Sequence, residues 1–230
     1  MRLVVALAVW AAAVLAAVVV SSAVAGSIHH SPNTSSTGGV SISFGGSSGG
    51  GAGGGSSGGG SAGSPSIDPS SVKATDRASM FRAATFTPAL NAARKQLGAN
   101  ARIEEFVIYP GYLSVQAAKG NTEATFYAAV NGQANVSTGG TPGGTGTFPL
   151  SKISPGAPPA LVAKITRAAH IPASQLHYMV ADADPISNRF QWLVYTTPNS
   201  RVEYFKTSGI GAPLFAYRKN SSTGLQRVGR

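Results

Sequence analysis

Apolar residues are spread very unevenly along this chain. From Leu3 to Val20 they are continuous, without a charge, a proline or a glycine. Residues 27–66 carry almost none, and from Phe86 onward they recur with a period. In this last region Leu90, Ala93 and Leu97 recur at helical spacing, with Asn91, Arg94, Lys95 and Gln96 between them. Thr87 is suited to cap that helix, Pro88 to its first position and Gly98 to its end. A short helix is expected over residues 70–83, around Val72, Met80 and Phe81. Strand-like runs follow at 103–109, closed by Pro110-Gly111, at 112–118, and at 122–130, closed by Asn131-Gly132. Residues 137–146 read as a loop and 147–153 as a candidate fourth strand.

The order then begins again. Pro158-Pro159 precedes a helical pattern with Leu161, Val162, Ile165 and Ala168 apolar. Strands are expected at 176–181, 191–196, 201–207 and 214–218. Ile103 to Val107 can be laid on Leu176 to Val180, and Tyr112 to Val115 on Gln191 to Val194. Phe126-Tyr127 falls on Tyr204-Phe205, and Asn131-Gly132 on Ser208-Gly209. A period of roughly 75 residues is too long for a solenoid unit and suits a duplicated module. The expected fold class is α+β. An N-terminal transmembrane helix (1–25) and a disordered Gly/Ser-rich linker (26–65) lead into two tandem helix-plus-antiparallel-sheet repeats, 66–157 and 158–230. Each repeat alone is small and has no disulfide, so the two are expected to fold as one cooperative unit.

Over residues 86–217 this order, together with Tyr109-Pro110-Gly111-Tyr112 and Trp192-Leu193-Val194-Tyr195, resembles tandem extracytoplasmic modules of the PepSY type. The two-repeat β-lactamase-inhibitor protein is similar in outline. The resemblance implies a non-catalytic binding or regulatory domain outside the membrane. It transfers no functional residue, and the inhibitor family uses disulfides whereas this chain has no cysteine.

The run from Leu3 to Val20 is long enough to span a bilayer core of about 30 Å as a helix. As a signal anchor it leaves Arg2 inside and the C-terminal domain outside the cell membrane, single-pass. As a signal peptide it is cut after Ala25, at Ala23-Val24-Ala25, and the protein is secreted. A buried core helix is a poor reading, because a Gly/Ser tract follows it in place of a fold. That tract, densest at residues 45–63, cannot bury enough apolar surface to order itself. Val40-Ser41-Ile42-Ser43-Phe44 alternates like a strand but stands isolated, and is read as part of the linker. Of 18 basic residues only Arg2 precedes the folded part, which holds all 8 acidic ones. Such an excess favours anionic neighbours, an envelope polymer or headgroups. Nucleic acid is not an expected partner, since no reader motif is present and the chain is exported.

The search for chemistry finds little. There is no G-x-S-x-G and no phosphate loop. His29-His30 lie in the linker, His170 closes a helix and His177 lies in a strand. Asp182 and Asp184 fall short of a calcium loop and suit a turn. Glu104 and Glu105 point to opposite faces of their strand. No catalytic residue, metal ligand or cofactor is therefore assigned, and the chain is not read as an enzyme. The aromatics say more. One sheet face is expected to bury aliphatics while the other carries tyrosine and tryptophan. Tyr112, Trp192, Tyr195 and Tyr204 are then candidate binding residues, unless they fill the core. The function this suggests is a membrane-tethered extracytoplasmic binding module for a protein, peptide or cell-envelope polymer. The alternatives are a structural component of an envelope complex and, if the N-terminus is cleaved, a secreted inhibitor-like protein.

Overall fold

A computed structural model describes residues 42–43, 67–143, 146–218 and 224–229. The segment from Leu3 to Val20 and the cleavage site at Ala25 lie outside them. Among the described residues no helix is long and apolar enough to cross a membrane. Gly38–Arg230 form one compact unit.

The unit is α+β. Its helices are α1 (Ala83–Leu97) and α2 (Ala157–Ala169). Its strands are β1 (Ile42–Ser43), β2 (Arg102–Ile108), β3 (Tyr112–Lys119), β4 (Thr122–Ala129), β5 (Gln133–Thr138), β6 (Phe148–Pro149), β7 (Leu176–Ala183), β8 (Phe190–Thr196), β9 (Val202–Thr207), β10 (Leu214–Arg218) and β11 (Leu225–Val228). All pairings are antiparallel. The sheet runs β1-β5-β4-β3-β2-β7-β8-β9-β10-β11, with β6 beside β2.

Two four-strand meanders, β2–β5 and β7–β10, thus lie side by side and meet at their first strands. At that seam Val107 pairs with Val180, flanked by Phe106–Ala181 and Ile108–Met179. Laying Val107 on Val180 maps each flanking pair onto the other, so a local twofold axis passes between these valines. The overlay of residues 103–107 on 176–180 has this spacing. Across the next strands, Phe106 pairs with Val115 and Met179 with Val194, which makes Val115 and Val194 equivalent, as the sequence overlay has them. One strand further the overlay slips. Val115 pairs with Phe126 and Val194 with Phe205, so Phe126 corresponds to Phe205 and not to Tyr204. A one-residue slip exchanges the two faces.

Other differences have local causes. α1 begins at Ala83, one turn before Thr87, and carries Pro88 inside it. Phe86, Leu90 and Ala93 are buried along one stripe, and that packing sets the helix start against the proline's missing donor. Gly98, at φ 93°, ends the helix and donates its N–H to the Arg94 carbonyl. Residues 70–83 hold one 3₁₀ turn and further turns in place of a short helix. The fourth strand of the first repeat is β5, a polar segment, and only Phe148–Pro149 of 147–153 is strand. Ile42–Ser43, expected to belong to the linker, pairs with Ala134 and Gln133 of β5.

Both helices cover the same side of the sheet. One continuous core joins Phe86, Leu90, Leu161 and Ile165 of the helices to Phe106, Val115, Phe126, Met179, Val194 and Phe205 of the strands. Phe86 meets Phe106 edge-on at 6.2 Å, and Arg94 Nη2 donates to the Ile153 carbonyl at 2.7 Å, tying α1 to the segment before α2.

Candidate functional site

The helix-free side of the sheet is a set of stripes running across the strands. Strand alternation sends core residues to the helices, so their neighbours in sequence line the other side. The first stripe is a row of tyrosines; at its β4 end the register partner of Tyr112 is Ala129, and Tyr127, across from Ser114, reaches Tyr112 diagonally. Tyr127, Tyr112, Tyr109, Tyr178, Tyr195, Tyr204 and Tyr217 come from or directly follow β4, β3, β2, β7, β8, β9 and β10, seven adjacent strands. They are all 7 tyrosines of the chain. Each is half-buried.

Register builds the row. Tyr178, Tyr195, Tyr204 and Tyr217 are direct cross-strand partners in succession. Tyr109 lies one residue beyond the Ile108–Met179 pair, beside Tyr178, and its N–H donates to the Tyr112 carbonyl at 2.8 Å. Ring centroids are 4.4 Å apart at Tyr178–Tyr195, 4.6 Å at Tyr109–Tyr112, 5.1 Å at Tyr109–Tyr178 and 5.2 Å at Tyr204–Tyr217, all stacked. Tyr112–Tyr127 and Tyr195–Tyr204 are tilted, at 5.4 and 5.5 Å. These spacings follow the interstrand distance, so the row spans about 29 Å over its six steps. His177 sets its ring edge-on to Tyr109 and Tyr178. Burial lowers its pKa, favouring the neutral ring.

Burial also decides the phenol chemistry. It raises the pKa of Tyr112, Tyr127, Tyr195 and Tyr204, and that of Tyr178 to about 12. In Tyr112, Tyr178 and Tyr195, neighbouring phenols add to the effect, since each would repel a second negative charge. These rings therefore stay neutral, offering a flat apolar body and a hydroxyl that donates or accepts. They do not supply a nucleophile or a general base near neutral pH.

The second stripe, Ser114, Val107, Val180, Leu193, Lys206 and Phe215, is mostly apolar. The third is polar: Thr125 pairs with Gln116, Gln116 with Glu105, and Asp182 with Gln191. Burial pushes the Glu105 and Asp182 carboxyls up; the Asp182 charge raises Glu105 further, while a hydrogen bond with Gln191 and the charge of Lys206 pull Asp182 partly back. Asp184 behaves oppositely. Lys206 Nζ donates to it at 2.8 Å, and Ser187 adds backbone and side-chain donors, holding its carboxyl well below the usual range. Asp184 thus closes the turn through 188, the role its sequence context suggests.

A cleft of about 210 Å3 adjoins the row between Pro69, Val72, Tyr109, Tyr112, His177 and Thr197. Its wall is tight at Gly111, where a Cβ would fall 1.8 Å from the Pro69 carbonyl oxygen. A second hollow, about 550 Å3, lies between α2 and β11, with Lys164, Arg167 and Arg227 around it. There Lys164 already donates to the carbonyls of Ile210 and Ala212.

Of the four candidate residues, Tyr112, Tyr195 and Tyr204 share the tyrosine row. Trp192 does not. It lies on the helix-covered side, 2% exposed and edge-on to Phe190 at 5.9 Å. Leu193 takes the open side instead, because Val194 fixes the strand's phase in the core. Sequence reasoning missed Tyr109, Tyr127, Tyr178 and Tyr217. Their signal was present: Met179, Phe126 and Ala216 are core residues, and each adjoins one of these tyrosines. Among the described residues no group of three or more His, Asp or Glu side chains is placed to hold a metal. Comparisons with protein-family models, curated protein sequences and solved structures found no match to this chain.

Proposed function

We propose that the protein is a non-catalytic binding module whose helix-free sheet face engages a partner protein. The apolar run from Leu3 to Val20 tethers it to the membrane with the α+β unit outside the cell. One observation carries the reading: every tyrosine of the chain stands in one row of successive ring contacts, stacked or tilted, on the side that neither helix covers. Tyrosine is a preferred interface residue because it brings large rigid area and a polar tip at low entropic cost. A face about 29 Å wide matches the side of a standard interface, roughly 800 Å2 per partner. Neutral phenols beside an apolar stripe suit desolvation against another protein better than acid–base chemistry. The tandem order of the repeats fits the resemblance to PepSY-type modules.

The test is photo-crosslinking in intact cells. A benzophenone side chain placed at Tyr195 or Tyr204 should trap a specific partner band. The same group at Lys152, on an exposed turn before α2, should not. Equal adducts from both sides, or adducts from Lys152 alone, would overturn the assignment of the face.

A further inference from the structure

The hollow between α2 and β11 differs in kind from the open face of the sheet. Its volume, about 550 Å3, falls in the range of small-molecule sites. Ala160, Ala163 and Ala168 line it from α2, and Leu214 and Val228, which pair across β10 and β11, line it from the sheet. Small side chains on this face of the helix leave the space unfilled. Leu214 belongs to the shared core, whereas Ile210 at the rim is 44% exposed.

Three cations surround this apolar floor. Lys164 and Arg167 stand one turn apart on α2, and Arg227 comes from β11. Lys164 Nζ donates to the carbonyls of Gly209, Ile210 and Ala212, which fixes the loop before β10 as one wall. Those carbonyls solvate the ammonium but do not neutralise it, and burial already disfavours its charge. No aspartate or glutamate is among the described residues lining the hollow. Among the described residues the ion pair found is Lys206–Asp184, so none of the three cations has a carboxylate partner there. Arg167 and Arg227 are exposed, with their forked donors toward the mouth of an apolar recess.

We propose that this hollow binds a small phosphate monoester carrying an apolar chain. Such a phosphate has a charge of about −1.5 to −2 near pH 7 and three acceptor oxygens, which answers two guanidiniums beside an ammonium. Its chain lies over the alanines and against Ile210. A recess of this volume takes in a molecule, while a flat bilayer surface would reach only its rim. The site is built on α2, away from the tyrosines, so it stands apart from the binding-face reading.

The test is NMR of the isotope-labelled full chain in phosphatidylcholine nanodiscs, titrated with hexyl phosphate, inorganic phosphate and 1-hexanol. Hexyl phosphate should move the methyl signals of Ala163, Ala168 and Val228 together with the side-chain N–H signals of Arg167 and Arg227. Inorganic phosphate and 1-hexanol should each bind at least about tenfold more weakly, a ratio that two buried methylenes or one charge-assisted hydrogen bond supplies. A chain carrying Arg167→Gln and Arg227→Gln should lose the response. Ala163→Leu, which fills the recess and keeps the cations, should weaken hexyl phosphate and leave inorganic phosphate unchanged. Equal responses to hexyl phosphate and to either control would overturn the proposal, reducing the site to apolar partition or to an adventitious ion only. Shifts confined to other residues would overturn it as well. If phosphatidylglycerol nanodiscs move these signals and hexyl phosphate does not, the cations read a membrane surface and the small-molecule site is gone. Should a variant unfold, the comparison of the three probes on the native chain still decides.

Discussion

The two sides of this sheet are made by the same strands and obey opposite rules. Toward the helices, Phe106, Val115, Phe126, Met179, Val194 and Phe205 are fully buried. Away from them, each of the four central strands β3, β2, β7 and β8 presents a half-buried tyrosine, an aliphatic or small residue, and then a polar group. With the exception of Phe215 on β10, the strand phenylalanines and tyrosines are therefore sorted by a single oxygen. A phenol buried in the core would need a partner for its hydroxyl, whereas on the open side the hydroxyl reaches water or a bound surface. Strand phase alone performs the sorting, and for that reason a slip of one residue would be severe.

The largest effect that sharpens this contrast is on stability. Phe126→Ala and Phe205→Ala should each cost about 3–5 kcal/mol in urea denaturation, since each leaves a cavity in a shared core. Tyr195→Ala, on the open side, should cost less than half as much. Equal losses would mean that the tyrosine row is structural core in its own right.

A smaller effect should show in the pH dependence. Burial raises the Glu105 carboxyl, so its charged form disfavours the fold above the unfolded pKa, near 4. Glu105→Gln should therefore be more stable than the native chain at pH 8, with the gain shrinking as the pH falls toward 4. No gain at pH 8 would show that the carboxylate is well solvated.

The smallest effect belongs to Asp184, only two residues from Asp182 and opposite in sign. Its lowered pKa stabilises the fold above pH 4, and that contribution fades as the pH drops through the acid range. Lys206→Met should cost about 0.2–1 kcal/mol at pH 7, as partly exposed ion pairs do, and progressively less as the pH falls from about 4 toward 2. A loss that does not shrink in acid would point to packing by the lysine stem instead.

Much of this arrangement was legible in the residues. The repeat order and the equivalence of Val107 with Val180 and of Val115 with Val194 follow from apolar alternation bounded by Pro110-Gly111 and Asn131-Gly132. β5 was hidden because its sequence, QANVST, carries only Ala134 and Val136 toward the core. Trp192 belongs to the core, so aromatic character alone does not mark the open face. Hydroxyl character was the better marker. The stacked row could not be seen strand by strand, since it depends on register between chains of residues up to about a hundred apart.

The pairing of Ile42–Ser43 with β5 has a consequence for how molecules treat one another. A sheet this wide has two rims, and a bare rim is a template on which a second molecule can add its own strand. At one rim the short strand β1 caps part of β5; at the other, β11 is brief and carries Gln226 and Arg227. Trimming the chain to begin at Ser66, where the sequence places the start of the first repeat, strips the first of these guards. The shortened protein would keep its core and its tyrosines, yet gain a route to rim-to-rim association that the longer chain closes.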